Sequence, residues 1–140
     1  MKVLVDTSIW FLALRKKKTQ LNKTQILIVE ELIELINESR VVLIGPVRQE
    51  ILSGIVSKSQ FQKLKAKFRA FEDFPINQRD YELAAEFYNI CRKNGVKGSH
   101  IDFLICSTSY NHKFSIFTTD KDFENYSKHL NISIHSVRKK

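Results

Sequence analysis

The sequence predicts an α/β fold, a three-layer α/β/α sandwich with a mainly parallel sheet of four or five strands. Short, unbroken apolar runs that indicate buried strands alternate with longer segments whose apolar residues recur at helical spacing. This alternation is typical of parallel strands joined by helices that cover both faces of the sheet. The 140 residues contain no internal repeat, low-complexity tract or linker, so we expect one domain over residues 1–140.

The amino-terminal strand introduces the pattern. Residues 3–5 form an apolar run that ends at Asp6, which indicates a buried strand. Thr7 or Ser8 can cap a helix directly afterwards, and the apolar residues 9–12 continue it.

The other elements follow from apolar spacing and from turn residues. Pro46 suits the first turn of a helix because it has no N–H to leave unpaired, and Gly95 suits the residue just after a helix. In order, the sequence predicts a basic loop at 15–18, a helix at 24–39, a strand at 41–44, a helix at 46–55, a basic helix at 59–71, a short strand at 74–76, a helix at 81–93, a helix at 99–111, a strand at 114–118, a helix at 120–129 and an edge strand at 132–134.

The charge of the chain favours a polyanionic partner. It has 23 basic and 15 acidic residues, a net charge of +8, and such an excess is typical of, though not confined to, nucleic-acid-binding proteins. A solvated surface explains each basic cluster equally well. The clusters are 15–18, Lys63 to Arg69, Arg92 to Lys97 and 138–140.

We expect a cytoplasmic protein without a membrane segment. No apolar run approaches the roughly 20 residues that cross a bilayer, and Asp6 comes too early for a signal-peptide core. Cys91 and Cys106 lie in apolar helical stretches, which predicts buried, reduced thiols. Two cysteines are too few for a structural zinc site of their own.

Four carboxylates share one kind of position, the end of a strand or the first turn of the helix that follows a turn. They are Asp6, Glu50, Asp102 and Asp120. The carboxyl ends of parallel strands form one edge of a sheet, so we expect these side chains to converge there. Converging carboxylates raise one another's pKa unless a cation neutralises them. A set of oxygen ligands selects a hard ion such as Mg²⁺ or Mn²⁺.

Each carboxylate also has an ordinary structural explanation. Asp6 and Asp120 can cap the helices that follow them, and Glu50 can be a surface residue near a helix N-terminus. Ser99 with Asp102 resembles a capping box. Only the set of four, taken together, favours a metal site.

Neighbouring aromatic and histidine residues add little to this interpretation. We expect Trp10 and Phe11 in the core rather than in a platform for stacking bases, because stacking requires exposure. His100 faces away from Asp102 on the same helix, and the histidines form no zinc pattern.

The motifs together resemble the PIN domain and, within it, the VapC-type ribonuclease toxins of prokaryotic toxin–antitoxin pairs. The resemblance runs from Val3 to the final predicted strand. It is carried by residues 3–8, by the helix start from Pro46 to Glu50, by the Asp102 helix and by residues 118–123.

The resemblance implies a Mg²⁺-dependent endoribonuclease that hydrolyses phosphodiester bonds in RNA, with Mn²⁺ as a possible substitute. Asp6, Glu50, Asp102 and Asp120 would be catalytic, and Asp6, Asp102 and Asp120 would hold the ion. Glu50 would bind metal or orient the attacking water. The supporting residues would be Thr7, Ser8, Thr118 and Asp122.

The same resemblance implies an RNA substrate, a cognate antitoxin and a homodimer. The antitoxin would cover apolar surface between the early helices and place a basic residue in the acidic pocket. A non-toxin RNA-processing nuclease and a non-catalytic RNA-binding module stay open. A haloacid-dehalogenase-like phosphatase requires an aspartate where Ser8 stands, and a phospho-receiver requires an acidic pair near the first strand, where Lys2 is the only charge before Asp6.

Overall fold

A parallel sheet of three strands runs through the centre of the computed structural model, which describes residues 1–138. β1 (Val3–Val5) lies in the middle, with β2 (Val41–Val42) on one side and β3 (Ser115–Phe117) on the other. All three β1 residues have 0% exposure, as expected for a strand covered on both faces. Lys139 and Lys140, the end of the last predicted basic cluster, lie outside the described residues.

The prediction of four or five strands is wrong for the described residues. The segment predicted as a strand at 74–76 contributes one bridge, between Leu43 and Asp73. The Phe74 amide donates to the Leu43 carbonyl at 2.7 Å, but a helix begins at Gly45, so the partner segment ends before the pairing can continue.

The predicted edge strand at 132–134 is similarly reduced to one bridge, between Ile116 and Ile134. Two backbone hydrogen bonds hold it, from Ile116 to Ser133 at 2.8 Å and from His135 to Ile116 at 2.7 Å. The segment therefore pairs with the edge of β3 without forming a regular strand.

Seven α-helices of the described chain flank the sheet, close to the predicted positions. None of them is long and apolar enough to cross a bilayer. They are α1 (Thr7–Leu14), α2 (Lys23–Asn37), α3 (Gly45–Leu52), α4 (Lys58–Phe68), α5 (Gln78–Lys93), α6 (His100–His112) and α7 (Asp122–Ser127).

Several helix boundaries differ from the prediction, among them the end of α3 at Leu52 instead of 55 and the start of α5 at Gln78 instead of 81. Asp6, rather than Thr7 or Ser8, caps α1, and its side chain accepts a hydrogen bond from the Ser8 amide. The alternative interpretation of Asp6 as the cap of the helix that follows it is confirmed. The basic helix ends at Phe68 instead of 71, and α7 begins at Asp122 because Asp120 lies in the preceding turn.

The core is a single cluster of buried apolar side chains around β1. Trp10 is 1% exposed, and its ring packs edge-to-face against Phe68 and Phe71, each at 5.2 Å between centroids. Cys91 and Cys106 are buried free thiols, which confirms the prediction. Burial raises the pKa of both thiols and makes them unreactive.

Asp80 joins α5 to α6 beneath the surface. Its side chain has 0% exposure and accepts hydrogen bonds from the Asn77 amide at 3.1 Å and from the Asn111 side chain at 2.8 Å. The His112 ring nitrogen lies 3.2 Å away. Burial alone would raise the pKa of Asp80, but these partners outweigh it and lower the pKa.

Glu31 of α2 fixes the carboxyl-terminal segment. It is 3% exposed, its carboxylate is 2.7 Å from the His135 ring nitrogen, and it accepts a bond from the Arg138 guanidinium at 2.9 Å. Burial by itself would raise the pKa of Glu31, but the bonds from Arg138 and His135 outweigh it, so the pKa is lowered.

We expect Glu31→Gln to lower the free energy of unfolding by about 1–3 kcal/mol, because it removes the buried charge that pairs with His135 and Arg138. The folded pKa of Glu31 lies below its unfolded value of about 4.5. Its contribution is therefore complete at neutral pH and is lost as the pH falls through the folded pKa. Urea unfolding at pH 7 and pH 3 measures both effects.

The control is Glu30→Gln, the same change at an exposed position one residue earlier, which should stay within about 0.5 kcal/mol of wild type. Equal losses in the two variants at pH 7 would contradict the role assigned to Glu31.

Candidate active site

An acidic cleft of about 470 Å³ opens where β1 and β3 end. The first turns of α1 and α6, the middle of α3 and the turn before α7 contribute side chains to it. The lining residues are Asp6, Thr7, Ser8, Phe11, Glu50, Ser99, Asp102, Asp120 and Asp122. The structure thus brings the four carboxylates singled out in the sequence to one cleft, and their catalytic roles stay predictions.

Asp6 is the most buried carboxylate of the cleft, with 5% exposure. One of its oxygens, Oδ2, accepts hydrogen bonds from the hydroxyls of Ser8 and Thr118, both at 2.8 Å. Thr118 Oγ1 in turn accepts from the Asp120 amide at 2.9 Å, and Ser8 Oγ accepts from the Thr119 amide at 3.0 Å. These bonds fix the ends of β1 and β3 relative to each other.

Asp102 has a strongly perturbed acidity. Burial, assisted by the charges of Asp6 and Asp120, raises the pKa of Asp102 to about 6, although hydrogen bonds from Tyr126 and Ser99 oppose the increase. The Tyr126 hydroxyl donates to Asp102 Oδ2 at 2.6 Å. Ser99 caps α6 by accepting a hydrogen bond from the Asp102 amide at 3.1 Å. The Asp102 side chain lines the cleft.

Tyr126 is a site residue that the sequence reasoning missed. It lies in α7 with 0% exposure, and burial together with the Asp102 charge raises the pKa of its hydroxyl. Gly98 approaches it closely, since a Cβ at that position would lie 2.8 Å from Tyr126 Cζ and 2.9 Å from Phe103 Cε2. No spacing rule in the sequence connects Tyr126 with Asp102, 24 residues away.

Three carboxylates form the closest acidic group, and it differs from the predicted metal set. Oxygens of Asp102, Asp120 and Asp122 all lie within 4.8 Å of one another. The Asp122 amide donates to Asp120 Oδ1 at 2.9 Å, which brings the two residues together. Asp6 and Glu50 line the same cleft without joining this group.

The side chains present fit a hard divalent cation. The donors are carboxylate and hydroxyl oxygens, the ligand types that Mg²⁺ and Mn²⁺ prefer. Thr7 Oγ1, in a residue that lines the cleft, is buried with no hydrogen-bond partner among the described residues. Burial, with smaller contributions from the charges of Asp6 and Asp120, raises the pKa of Asp102, and a bound cation would favour its ionised form.

The two aromatic residues after Asp6 occupy different environments. Trp10 is in the core as predicted, but the prediction for Phe11 is wrong. Phe11 is 42% exposed and lines the cleft, because helical geometry directs neighbouring positions to different sides. The Arg15 guanidinium lies over its ring, 5.3 Å from the centroid.

Comparison with known protein families identifies the domain. The family model of the PIN domain matches residues 3–129 of the sequence. The chain belongs to the PIN domain family. No match was found among curated proteins.

Several solved structures share this fold. A chain of FitAcB from Neisseria gonorrhoeae superposes with a TM-score of 0.74 at 18% identity, covering 96% of each chain. A chain of VapBC2 from Rickettsia felis, bound to a DNA fragment from its promoter, gives 0.75 at 16% identity, covering 96% of this chain and 98% of that one. VapBC-5 from Mycobacterium tuberculosis, a member of the VapBC family of toxin–antitoxin systems, gives 0.66 at 13% identity, covering 98% and 100%.

We expect Asp102→Asn to stabilise the metal-free PIN domain at pH 7.5. The folded pKa of Asp102 is about 6, above the reference value of 3.8. Ionisation of Asp102 therefore destabilises the folded state. This cost is complete above pH 6 and disappears as the pH falls toward 3.8. A pKa shift is worth about 1.36 kcal/mol per unit when the charge is unscreened. Because solvent screens a partly exposed carboxyl, we expect a smaller gain than the whole shift would give, on the order of 2 kcal/mol.

Thermal unfolding in chelator at pH 7.5 and pH 4.5 tests this expectation. The gain of Asp102→Asn over wild type should be largest at pH 7.5 and clearly smaller at pH 4.5, which is close to the reference pKa of 3.8, and Glu86→Gln, an exposed position on α5, should match wild type at both. An Asp102→Asn protein that is less stable than wild type at pH 7.5 would rule out the electrostatic opposition.

Proposed function

We propose that this PIN domain is a Mg²⁺-dependent endoribonuclease and the toxin of a toxin–antitoxin pair. The observation that carries the proposal is the group of Asp102, Asp120 and Asp122 oxygens within 4.8 Å of one another. This group lies in a cleft that Asp6 and Glu50 also line. Membership of the PIN family supports the same reaction class.

Asp102, Asp120 and Asp122 would hold the ion together with Asp6, directly or through water. When bound, the ion acidifies a coordinated water and offsets negative charge on the phosphate under attack. Mn²⁺ has compatible ligand preferences and should replace Mg²⁺.

The chain's own residues complete the reaction. Glu50 stands on α3 at the exposed rim of the cleft, where its carboxylate can orient the attacking water. Ser8 and Thr118 hold the Asp6 carboxylate from one side, which leaves its second oxygen for the ion. Tyr126 fixes the direction of Asp102, and such outer partners of metal ligands are often worth 10–100-fold in metal affinity or activity.

The strand order explains why the carboxylates meet at this edge. The chain crosses from β1 to β2 on one side and then returns past β1 to β3. Right-handed crossovers in opposite directions place their helices on opposite faces, from which we infer the three-layer arrangement. They also leave a crevice at the carboxyl end of β1, where Asp6 stands.

An antitoxin and a homodimer are the partners that we propose. Among the matched structures, one is a toxin–antitoxin complex from Klebsiella pneumoniae and VapBC-5 is a member of a family of toxin–antitoxin systems, and α2 presents apolar side chains to solvent near α1. Ile26, Leu27 and Ile33 are 38%, 54% and 51% exposed. Several large apolar side chains exposed on one helix favour a protein–protein interface there.

We predict that the purified protein cleaves a labelled single-stranded RNA with Mg²⁺ or Mn²⁺ and not with chelator. Asp102→Asn should reduce the rate at least 100-fold, because it removes a charged ligand from the acidic group. Mg²⁺ should also raise the Tm of wild type but not of Asp102→Asn, since an ion that binds only the folded state stabilises it.

Glu86→Gln is the matched control and should keep the wild-type rate. Full activity in purified, folded Asp102→Asn would remove this residue from the mechanism. Cleavage in excess chelator would exclude a metal-dependent reaction.

We also predict that expression of the wild-type chain arrests bacterial growth and that Asp102→Asn does not. Co-expression of a short neighbouring gene should relieve the arrest, because an antitoxin that covers the cleft blocks substrate entry. Growth and RNA integrity after induction provide the measurement. Normal growth with undiminished nuclease activity in the lysate would favour a non-toxin RNA-processing nuclease.

A further inference from the structure

A basic groove with a volume of about 570 Å³ lies between the end of α1, the loop before α4 and α4 itself. Its charged residues are Arg15, Lys17, Lys63 and Lys67, and none of the described residues that line it is acidic. Within residues 1–138, no salt bridge involves any of these four side chains. The groove therefore presents uncompensated positive charge.

The basic face of α4 is more extensive than helix stability requires. Cations in a last turn complement the helix dipole, which accounts for Lys67 but not for Lys63, one turn earlier. The two lysines share a face because they are four residues apart, and α4 contains no acidic residue with which to pair them. Leu64 is 5% exposed and lines the groove between them.

The basic groove adjoins the acidic cleft along α1. Phe11 lines the cleft, Arg15 lines the groove, and the guanidinium of Arg15 lies 5.3 Å from the Phe11 ring centroid. Phe11 is 42% exposed. An aromatic ring at the junction of a metal site and a cationic track is suited to stack a base.

We infer that the basic groove binds the phosphates of single-stranded RNA whose scissile bond lies in the acidic cleft, with Phe11 stacking a base at the junction. The inference rests on the proposed function and adds to it the path of the substrate. The carboxylates of the cleft repel a phosphate chain, so binding requires cations just outside, as the groove supplies. Stacking on Phe11 requires an unpaired base, which favours a single strand over a duplex.

Binding of a fluorescein-labelled RNA decanucleotide to metal-free protein, followed by fluorescence anisotropy, tests the groove without any cleavage. Lys63→Gln/Lys67→Gln should raise the Kd at least fivefold at 0.1 M salt. Each lost contact between a lysine and a phosphate should make the slope of log K against log salt shallower by about 0.7, and therefore by about 1.4 for the pair.

Arg79→Gln/Lys113→Gln is the matched control, because it removes the same charge from two exposed residues that line a different cavity. It should change the Kd less than twofold. Equal losses in both double variants would overturn the inference, since they would show attraction by net charge alone.

The stacking role of Phe11 has its own readout, the fluorescence of 2-aminopurine placed in the same RNA. Wild type and Phe11→Tyr should quench the fluorescent base, whereas Phe11→Ala should not, and Phe11→Ala should also raise the Kd about fivefold or more. Restored affinity in Phe11→Tyr separates stacking from packing. Quenching that persists in Phe11→Ala would overturn the role of Phe11.

A glutamate decapeptide distinguishes RNA from an acidic protein partner. If the peptide competes as well as RNA of equal charge, and loses as much affinity in Lys63→Gln/Lys67→Gln, the assignment to RNA is overturned in favour of a protein ligand. Failure of the proposed function looks different. Groove-dependent RNA binding without cleavage in Mg²⁺ would disprove the nuclease and leave the groove intact.

Discussion

The structure depends on the burial of β1 between two parallel neighbours. β1 is completely buried, and the chain emerges from it at Asp6, whose side chain caps α1 and binds Thr118 after β3. One carboxylate thus ends a strand, begins a helix and joins two edges of the cleft. Because Asp6 directly follows the buried strand, a substitution in the core that displaces β1 also displaces this carboxylate of the cleft.

The burial of carboxylates close to one another is the second constraint. Hydroxyl groups surround Asp6, and Tyr126 donates to Asp102, yet burial, with smaller contributions from the charges of Asp6 and Asp120, raises the pKa of Asp102 to about 6. The ionised Asp102 therefore costs the folded protein stability at neutral pH. The buried Glu31 and Asp80, which have full sets of donors, show that this chain satisfies acidic side chains elsewhere.

Much of the fold and of the acidic cleft could be predicted from the sequence because apolar spacing and chain position carry that information. The run before Asp6 indicated the central strand, and strand ends indicated where carboxylates meet. Edge strands were overestimated, since the partner of the segment at 74–76 turns into α3 at Gly45, which the composition of that segment does not reveal. Tyr126 was missed because its contact with Asp102 depends on how α7 packs on α6, which no local pattern encodes. Asp122 was assigned a supporting place, although its distance to Asp102 and Asp120 places it in the closest acidic group.

The bond between Asp6 and Thr118 also sets an order of events during synthesis. These partners are separated by 112 residues, and at about 5–20 residues per second a ribosome needs roughly 6–22 s to make the intervening chain. Until Thr118 emerges, β1 lacks β3 and the cleft lacks the turn that carries Asp120. The complete acidic cleft can therefore form only after β3 and the turn that carries Asp120 have been synthesised.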